Sequence, residues 1–274
     1  MLLPVSEKTD VFGIQLETQF IPAPAGQEHP VLVFLHEGLG SVHMWRDWPR
    51  LLCQQLGCAG WVYSRQGYGL SDAVADVRGP AKQSPEGHIR SGRLQPDYMH
   101  REAQVVLPEL LDRWGIQRPV LIGHSDGGTI ALLHAAHSDV HACIAMAPHV
   151  MVEDMSIQAI QLAREAFEKG SLRERLKTFH ADVDCAFWQW NDVWLSEGFR
   201  SFDMRDTLTK IRAPVLAIQG VDDPYGSMAH IEDIARLAPQ TQLLQLTRCG
   251  HSPHRDQPLA VNQTIEAFLK NLRA

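Results

Sequence analysis

The sequence lacks the features that would place it in a membrane or among nucleic-acid-binding proteins. None of its apolar runs approaches the about 18 residues that a transmembrane helix needs, and its first residues, Met1 to Pro4, lack the charged start of a secretory signal. Positive charge is not in excess either, because the formal net charge is −7, whereas a phosphate-binding surface would be basic. We therefore expect a cytoplasmic protein with a small-molecule substrate and no membrane or nucleic-acid partner, and the oligomeric state stays open.

Signals for a disulfide scaffold, a metal or a cofactor are also scarce. The five cysteines are odd in number and show no Cys-x-x-Cys spacing, which favours reduced thiols. His134, His137 and His141 are not completed by a carboxylate or a cysteine into a firm metal pattern. The Gly67-Tyr68-Gly69 segment is too short for a dinucleotide fingerprint. We expect neither a metal nor a cofactor.

One segment, Val120 to Thr129, indicates nucleophilic catalysis. A short apolar strand leads directly into Gly-x-Ser-x-Gly at Gly123 to Gly127, and Ile130 to Ala136 favour a helix. In this strand-turn-helix context the motif predicts a nucleophile elbow, in which Ser125 occupies a strained backbone conformation and the glycines permit the tight turn. The start of the helix then lies under the nucleophile, so that the backbone N–H of Asp126 can donate to an oxyanion.

Two later strands end in residues that suit a general base and an orienting acid. The segment from Ala213 to Gly220 predicts a buried strand that is followed by Asp222 and Asp223. The segment from Thr241 to Leu246 predicts another strand, and it leads to His251. An open parallel sheet collects its ligand-binding loops at the C-terminal ends of its strands, which is where these candidates lie.

In the order Ser, Asp, His and in these strand-end positions, the chain resembles the α/β-hydrolase superfamily over nearly all of its length. The resemblance implies an α/β fold with a mostly parallel central sheet flanked by helices, and 274 residues with 45% hydrophobic content suffice for one large core. It implies Ser125 as the nucleophile, His251 as the general base and later acid, and one of Asp222 and Asp223 as the orienting carboxylate. The acid of this family usually lies three residues after the glycine that ends the strand, which favours Asp223. His254 is the weaker candidate for the base.

The loop after an early predicted strand, Pro30 to His36, departs from the family pattern. Relatives carry His-Gly at this point, whereas this chain has Glu37 where the first glycine is expected. The backbone N–H of Gly38 then becomes the expected second oxyanion donor, beside that of Asp126. Glu37 brings a carboxylate close to a site that stabilises negative charge. It could point away and bind the backbone or Arg65, or it could take part in catalysis.

A helical pattern replaces the strand-helix alternation between residues 148 and 210. An insertion at this point of an α/β-hydrolase forms a lid over the nucleophile. We therefore expect a hydrolase core of residues 1–147 and 211–274 and a helical lid of residues 148–210.

The predicted lid is rich in aromatic residues that could contact a substrate. Trp190 and Trp194 are four residues apart and share one helix face, whereas Trp188 points elsewhere. The three tryptophans could form the core of the lid, but we expect at least one to line the pocket, because ligand sites are mostly apolar and aromatic. His149, just past a predicted strand, is a candidate polar contact.

These residues predict a cofactor-free serine hydrolase that cleaves an ester, thioester or lactone of a small apolar or aromatic acid through an acyl-enzyme. The serine at the elbow disfavours haloalkane dehalogenases and epoxide hydrolases, which use aspartate there. A carbon-carbon bond hydrolase of the same fold and a hydrolase-like ligand sensor with slow turnover stay open. Repeated turnover would separate the enzymes from the sensor.

Three further segments of the sequence predict local structure. Val11 to Phe20 alternates as a single edge strand would. Residues 72–98 show no apolar periodicity, which is typical either of a solvated loop or of one that contacts an anionic substrate. Asp97 to Trp114 predicts a helix that is kinked at Pro108.

Overall fold

An eight-stranded sheet forms the centre of the computed structural model, which describes residues 6–24, 30–83 and 89–272. In chain order the described strands are β1 (Glu7–Val11), β2 (Ile14–Ile21), β3 (Leu32–Leu35), β4 (Gly60–Tyr63), β5 (Lys82–Gln83), β6 (Ile89–Ser91), β7 (Val120–His124), β8 (Ala142–Met146), β9 (Val215–Gly220) and β10 (Thr241–Leu246). The large sheet has the order β1-β2-β4-β3-β7-β8-β9-β10, and β5 pairs with β6. Strand β2 runs antiparallel to both of its neighbours and the other neighbouring pairs are parallel, which confirms the predicted mostly parallel sheet.

Helices cover both faces of this sheet. The described α-helices are α1 (Trp48–Leu56), α2 (Tyr98–Arg101), α3 (Leu107–Arg113), α4 (Asp126–Ala135), α5 (Asp154–Glu168), α6 (Leu172–Leu176), α7 (Val183–Trp194), α8 (Arg205–Leu208), α9 (Ala229–Leu237), α10 (Pro253–Asp256) and α11 (Pro258–Asn271). Helices α1 and α11 pack into one apolar cluster, and α3, α4 and α9 pack into a second. None of the described helices has both the length and the apolar character that crossing a bilayer requires.

The central strands contribute to both apolar clusters. Along β3, Leu32 and Phe34 belong to the cluster of α1 and α11, whereas Val33 and Leu35 belong to the cluster of α4. Successive side chains of a strand point to opposite faces, so a strand covered on both sides is apolar at every position. This burial explains why the central strands read as continuous hydrophobic runs in the sequence.

The first sheet edge differs from the prediction. Val11 to Phe20 is not a single strand, because β1 ends at Val11 and β2 begins at Ile14. The two residues between them, Phe12 and Gly13, both have positive φ values, of 55° and 79°. A two-residue turn of this kind suits the twist of a hairpin.

The segment of residues 72–98 is partly ordered by a two-stranded ribbon, β5 and β6, and by a bridge between Ala75 and Ser91. Its Arg78 donates to Asp192 of α7 at 2.8 Å. The segment is therefore fastened to the helices that follow β8 rather than forming only a solvated loop, and its residues 84–88 lie outside the described residues.

The helix predicted over residues 97–114 is present but interrupted. Helices α2 and α3 are joined by a π-helical turn at Glu102–Val106, just before Pro108. Proline lacks the N–H that an α-helix needs at this position, and a wider turn accommodates that loss. The π-helical form of this interruption could not be predicted from the sequence.

Between β8 and β9 the described chain is helical, with α5 to α8 and a 3-10 turn at Glu197–Ser201. This inserted segment leaves the sheet just after Met146, at the C-terminal end of β8, and returns to it at Val215. The residues that follow β7, β9 and β10 lie at the same edge of the sheet, because these strands are parallel.

Candidate active site

The turn from β7 into α4 has the geometry of a nucleophile elbow. Ser125 has φ 53° and ψ −120°, a conformation that side-chain-bearing residues rarely adopt. The glycines on either side are required by space: a Cβ on Gly123 would lie 2.1 Å from the carbonyl oxygen of Gly127, and a Cβ on Gly127 would lie 2.0 Å from that of Leu35. The sequence therefore folds so that the Ser125 hydroxyl is presented at the start of a helix.

The structure brings the three predicted residues of the triad together. The distance between Ser125 Oγ and His251 Nε2 is 2.9 Å, and His251 Nδ1 lies 2.8 Å from Asp223 Oδ2 and 3.0 Å from Oδ1. With Nδ1–H donating to the carboxylate, Nε2 is left to accept the proton of the serine hydroxyl. The ring of Tyr225 lies 4.6 Å from that of His251 and forms one wall beside it.

The structure also distinguishes the two neighbouring carboxylates. Asp223 is buried, and it accepts further hydrogen bonds from Gln219 Nε2 at 2.9 Å and from the backbone N–H of Tyr225 at 2.8 Å. Asp222 is exposed, and its backbone N–H donates to the carbonyl of Cys249. Only Asp223 contacts His251 among this pair, in agreement with the spacing from the end of β9.

Gly38 and Asp126, the two predicted oxyanion donors, line the same cavity as Ser125. Among the described residues, neither backbone N–H donates to another protein group. A Cβ on Gly38 would lie 2.2 Å from Nε1 of Trp190, so only glycine fits against this indole. The arrangement leaves two backbone donors beside the Ser125 hydroxyl.

The side chain of Asp126 is held below the elbow by a buried network. Its Oδ2 accepts a hydrogen bond from the hydroxyl of Tyr98 at 2.5 Å, and Arg65 Nη2 lies 4.0 Å away. Trp194 Nε1 donates to the same Tyr98 hydroxyl at 3.0 Å. Burial raises the pKa of Asp126, and the charge of Arg65 opposes that shift. The network fixes the first turn of α4 and joins it to the inserted segment.

A cavity of about 210 Å³ opens over the Ser125 hydroxyl. Its wall is largely apolar and aromatic, with Trp190 and Trp194 from α7. The other lining residues come from the end of β7, from α4, α5, α6 and α10, and from the segments that follow β3, β8, β9 and β10: Glu37, Gly38, Leu39, Met44, His124, Asp126, His149, Ile160, Leu176, Tyr225, His251, Ser252 and Arg255. No local sequence pattern predicts four of these lining residues, which are Leu39, Met44, Ile160 and Leu176. Tyr225 could have been predicted, because it follows Asp223 by only two residues.

Trp188 does not reach this cavity, and its place among the predicted substrate contacts is corrected. The Arg78 guanidinium carbon lies 4.0 Å from the centre of its ring, and that of Arg164 lies 5.5 Å away. This arrangement suits a cation–π contact on the outer side of α7. Trp188 therefore helps to fasten residues 72–98 to the inserted segment.

His149 lines the cavity as predicted by its position after β8. It is buried, its ring centre lies 5.0 Å from that of Trp194, and its Nδ1 has no hydrogen-bond partner in the described part of the chain. Burial lowers the pKa of His149 well below its usual value, and the neighbouring His230 and His251 lower it further. The ring of His149 is therefore neutral.

A contact between a histidine and a carboxylate lies behind His149, and it was not foreseen from the sequence. His230 Nε2 lies 2.9 Å from Glu153 Oε2, and Glu153 also accepts from the backbone and hydroxyl of Ser227. The hydrogen bond from His230 lowers the pKa of Glu153 to about 2. These contacts join the start of α5 to the first turn of α9 and to the loop before it.

Glu37 does not bind Arg65 through its side chain. Arg65 donates instead to the backbone carbonyls of His36 at 2.6 Å and Glu37 at 3.0 Å, while Oε2 of Glu37 lies 3.3 Å from Nδ1 of His124.

Within the residues that the structure covers, no group of three or more His, Cys, Asp or Glu side chains is placed to hold a metal ion.

Comparisons with known proteins agree with this architecture. The sequence profile of the alpha/beta hydrolase family matches residues 32–264. The chain is 25% identical to the sn-1-specific diacylglycerol lipase ABHD11 of Mus musculus, over 88% of this chain and 81% of that protein. It is 26% identical to the putative carbamate hydrolase RutD of Pseudomonas syringae, over 88% of this chain and 93% of that protein.

Solved structures share the fold at lower identity. The enol-lactonase from Burkholderia xenovorans superposes with a TM-score of 0.71 at 15% identity, covering 96% of this chain and all of that one. A thermophilic esterase from Thermogutta terrifontis superposes with a TM-score of 0.69 at 18% identity, covering both chains fully. The sheet topology, the profile match over most of the sequence and these similarities lead to one conclusion: the chain is a member of the alpha/beta hydrolase family.

Proposed function

We propose that the protein hydrolyses an ester, thioester or lactone of a small apolar or aromatic acid through an acyl-enzyme. The observation that carries this proposal is the continuous hydrogen-bonded series Ser125, His251 and Asp223, which opens into a small cavity lined by tryptophan. A serine hydroxyl is a poor nucleophile at neutral pH, and an imidazole within hydrogen-bonding distance activates it.

The reaction follows from this geometry. Ser125 Oγ attacks the substrate carbonyl while His251 Nε2 takes its proton, and the carbonyl oxygen becomes an oxyanion that accepts from the N–H groups of Gly38 and Asp126. The carbon–oxygen or carbon–sulfur bond to the leaving group then breaks, and His251 returns the proton to that group. Water enters, gives a proton to His251 and attacks the acyl-enzyme, which releases the acid and restores the Ser125 hydroxyl. Asp223 holds the imidazole in the required tautomer.

The cavity favours a small acyl group. Its volume of about 210 Å³ lies below the about 300 to 1,000 Å³ of pockets for drug-sized ligands and somewhat above the about 150 Å³ of a cavity that holds benzene. A short branched or single-ring acyl group would fill it against Trp190 and Trp194. The neutral ring of His149 can hydrogen-bond a polar substituent. In this proposal the inserted segment of residues 148–210 acts as a lid, because its tryptophans cover the nucleophile.

The relatives support carbonyl hydrolysis without deciding the substrate. The name of one refers to an ester substrate, diacylglycerol, and the name of the other refers to a carbamate. Both bonds join an acyl carbon to a heteroatom leaving group, which is the bond that this geometry would break. The cavity volume favours a smaller acyl group than that of a diacylglycerol.

A fluorophosphonate probe tests the nucleophile directly. We expect it to label Ser125 and no other serine, because only a base-activated hydroxyl beside an oxyanion hole reacts rapidly. Peptide mapping locates the label, and p-nitrophenyl esters, acyl thioesters and lactones measure hydrolysis with Ser125→Ala as the blank. Label on Ser41, Ser71 or Ser252, or equal hydrolysis by Ser125→Ala, would refute the proposal.

A further inference from the structure

Glu37 occupies a prepared position in the loop after β3. Its Oε2 lies 3.3 Å from Nδ1 of His124, the residue before the proposed nucleophile. A Cβ on Gly40 would lie 2.7 Å from that same oxygen, so the absence of a side chain at residue 40 makes room for the carboxylate. The side chain of Glu37 is 18% exposed and lies on the cavity wall, next to Gly38.

His124 connects this carboxylate to the proposed general base. Its ring is 1% exposed, and Nε2 lies 2.5 Å from the backbone carbonyl oxygen of His251. One ring nitrogen thus faces a carboxylate and the other faces a carbonyl oxygen. A doubly protonated imidazole donates to both acceptors, whereas either neutral tautomer leaves one of them without a donor.

A ring next to His124 is neutral, and the carboxylate that faces His124 is charged. The ring centre of His254 lies 4.9 Å from that of His124. Burial and the proximity of His124 lower the pKa of His254 well below its usual value, so the His254 ring is neutral. Burial raises the pKa of Glu37, but the hydrogen bond and charge of His124, together with the charge of Arg255, outweigh that effect and hold the pKa well below its usual value. Glu37 is therefore ionised beside a proposed oxyanion donor.

We infer that Glu37 and His124 form a positioning ion pair for the hydrolysis proposed above. In this role His124 holds the backbone of His251 through Nε2 and also cancels the charge of Glu37. The inference rests on the proposed function, because it concerns the oxyanion formed when Ser125 attacks. Neither residue reacts with the substrate.

The charges of Glu37 and His124 should affect the transition state more than the bound substrate. An unpaired carboxylate next to Gly38 would repel the oxyanion that develops in the transition state, but it would repel a neutral ester very little. Loss of the His124 charge should therefore lower kcat and leave KM nearly unchanged. Loss of the charges of both Glu37 and His124 should restore kcat.

Four variants separate charge from shape. His124→Gln keeps an amide donor within reach of the His251 carbonyl but removes the charge, and we expect kcat to fall about tenfold or more. Glu37→Gln should stay within about threefold of the wild type, the scale of one altered hydrogen bond. The double variant E37Q/H124Q should regain most of the activity lost in His124→Gln. E37Q/H124A should stay low, since it lacks the donor to His251.

Matched substitutions outside the cavity, at the half-buried Glu266 (Glu266→Gln) and the exposed His137 (His137→Gln), serve as controls and should leave kcat unchanged. The melting temperature is measured for every variant. If the pair were merely structural, each substitution would lower both stability and kcat, and the double variant would show the sum of the two losses. Nitrogen-15 NMR of the imidazole rings provides a readout that does not depend on activity: one doubly protonated ring of the wild type at neutral pH should become singly protonated in Glu37→Gln.

Three results would overturn the inference: a double variant no more active than His124→Gln, a change in KM instead of kcat, or identical imidazole spectra in wild type and Glu37→Gln. Failure of the proposed function is a different outcome, because Ser125→Ala would then hydrolyse the ester as fast as the wild type. The inference fails alone when Ser125→Ala is inactive and the double variant shows no recovery.

Discussion

Gly38→Ala places a methyl group against the ring of Trp190 and so tests the coupling of the proposed oxyanion donor to the cavity wall. The added Cβ would lie 2.2 Å from Nε1, whereas ordinary contacts of a Cβ begin at 3.4 Å. The loop or the indole must therefore move by about 1 Å, a displacement of the size that lowers rates about 100-fold when it affects a catalytic group. Forcing the methyl group into this space should cost about 1 to 3 kcal/mol of stability.

The assay is steady-state hydrolysis of a short aromatic ester, with thermal melting measured on the same samples. We expect kcat to fall about 100-fold in Gly38→Ala and to recover in part in G38A/W190F, because phenylalanine lacks Nε1, the atom that the methyl group would approach most closely. Gly115→Ala is the control: nothing lies within 4 Å of its Cβ, so its positive φ should affect stability and leave kcat unchanged. A Gly38→Ala protein with the kcat of the wild type would refute Gly38 as an oxyanion donor.

Three further predictions concern the acid, the aromatic residues and the buried histidines. Asp223→Asn should lower turnover by something on the order of ten-thousand-fold and Asp222→Asn should be nearly normal, as measured by kcat with a common ester; the reverse result would contradict the assigned acid. Trp190→Ala should change the ratio of kcat/KM for aromatic over acetyl esters by about tenfold or more and Trp188→Ala should not, so equal shifts in both would remove Trp190 from the pocket wall. Burial lowers the pKa of His254 well below 6.5, so unfolding takes up a proton there at lower pH. Its contribution to the free energy of unfolding is complete above pH 6.5 and decreases by about 1.4 kcal/mol per pH unit below it. Urea unfolding at pH 7, 6 and 5 should give a shallower pH dependence for His254→Gln, and parallel curves would contradict the buried neutral ring.

The sequence was most informative where the chemistry is local. The elbow around Ser125 is specified by glycines within two residues of it, and the position of Asp223 follows from a short count after Gly220. Both therefore could be recognised without knowing the fold. The helix-forming pattern of the inserted segment was visible for the same reason.

What the sequence could not predict depends on contacts between distant residues. Glu37 and His124 are 87 positions apart, and Arg78 and Asp192 are 114 apart, so no local pattern marks either pair. The hairpin before β2 was missed for a different reason: its turn places Phe12 at positive φ, a conformation that is rare for a bulky side chain. Local preference was overruled there by the pairing of two strands.

The contact between Trp190 and Gly38 has a consequence for how the enzyme could change over evolution. The same indole bounds the acyl cavity and fills the space above a proposed oxyanion donor. A mutation that shortens residue 190 to admit a longer acyl group therefore also removes the support of that donor, and substrate range is gained at the expense of rate. Leu176 and Ile160, on α6 and α5, line the cavity from the inserted segment and belong to neither the elbow nor the loop of Gly38. We expect selection for larger substrates to enlarge the cavity first at these two positions, while residue 190 stays large.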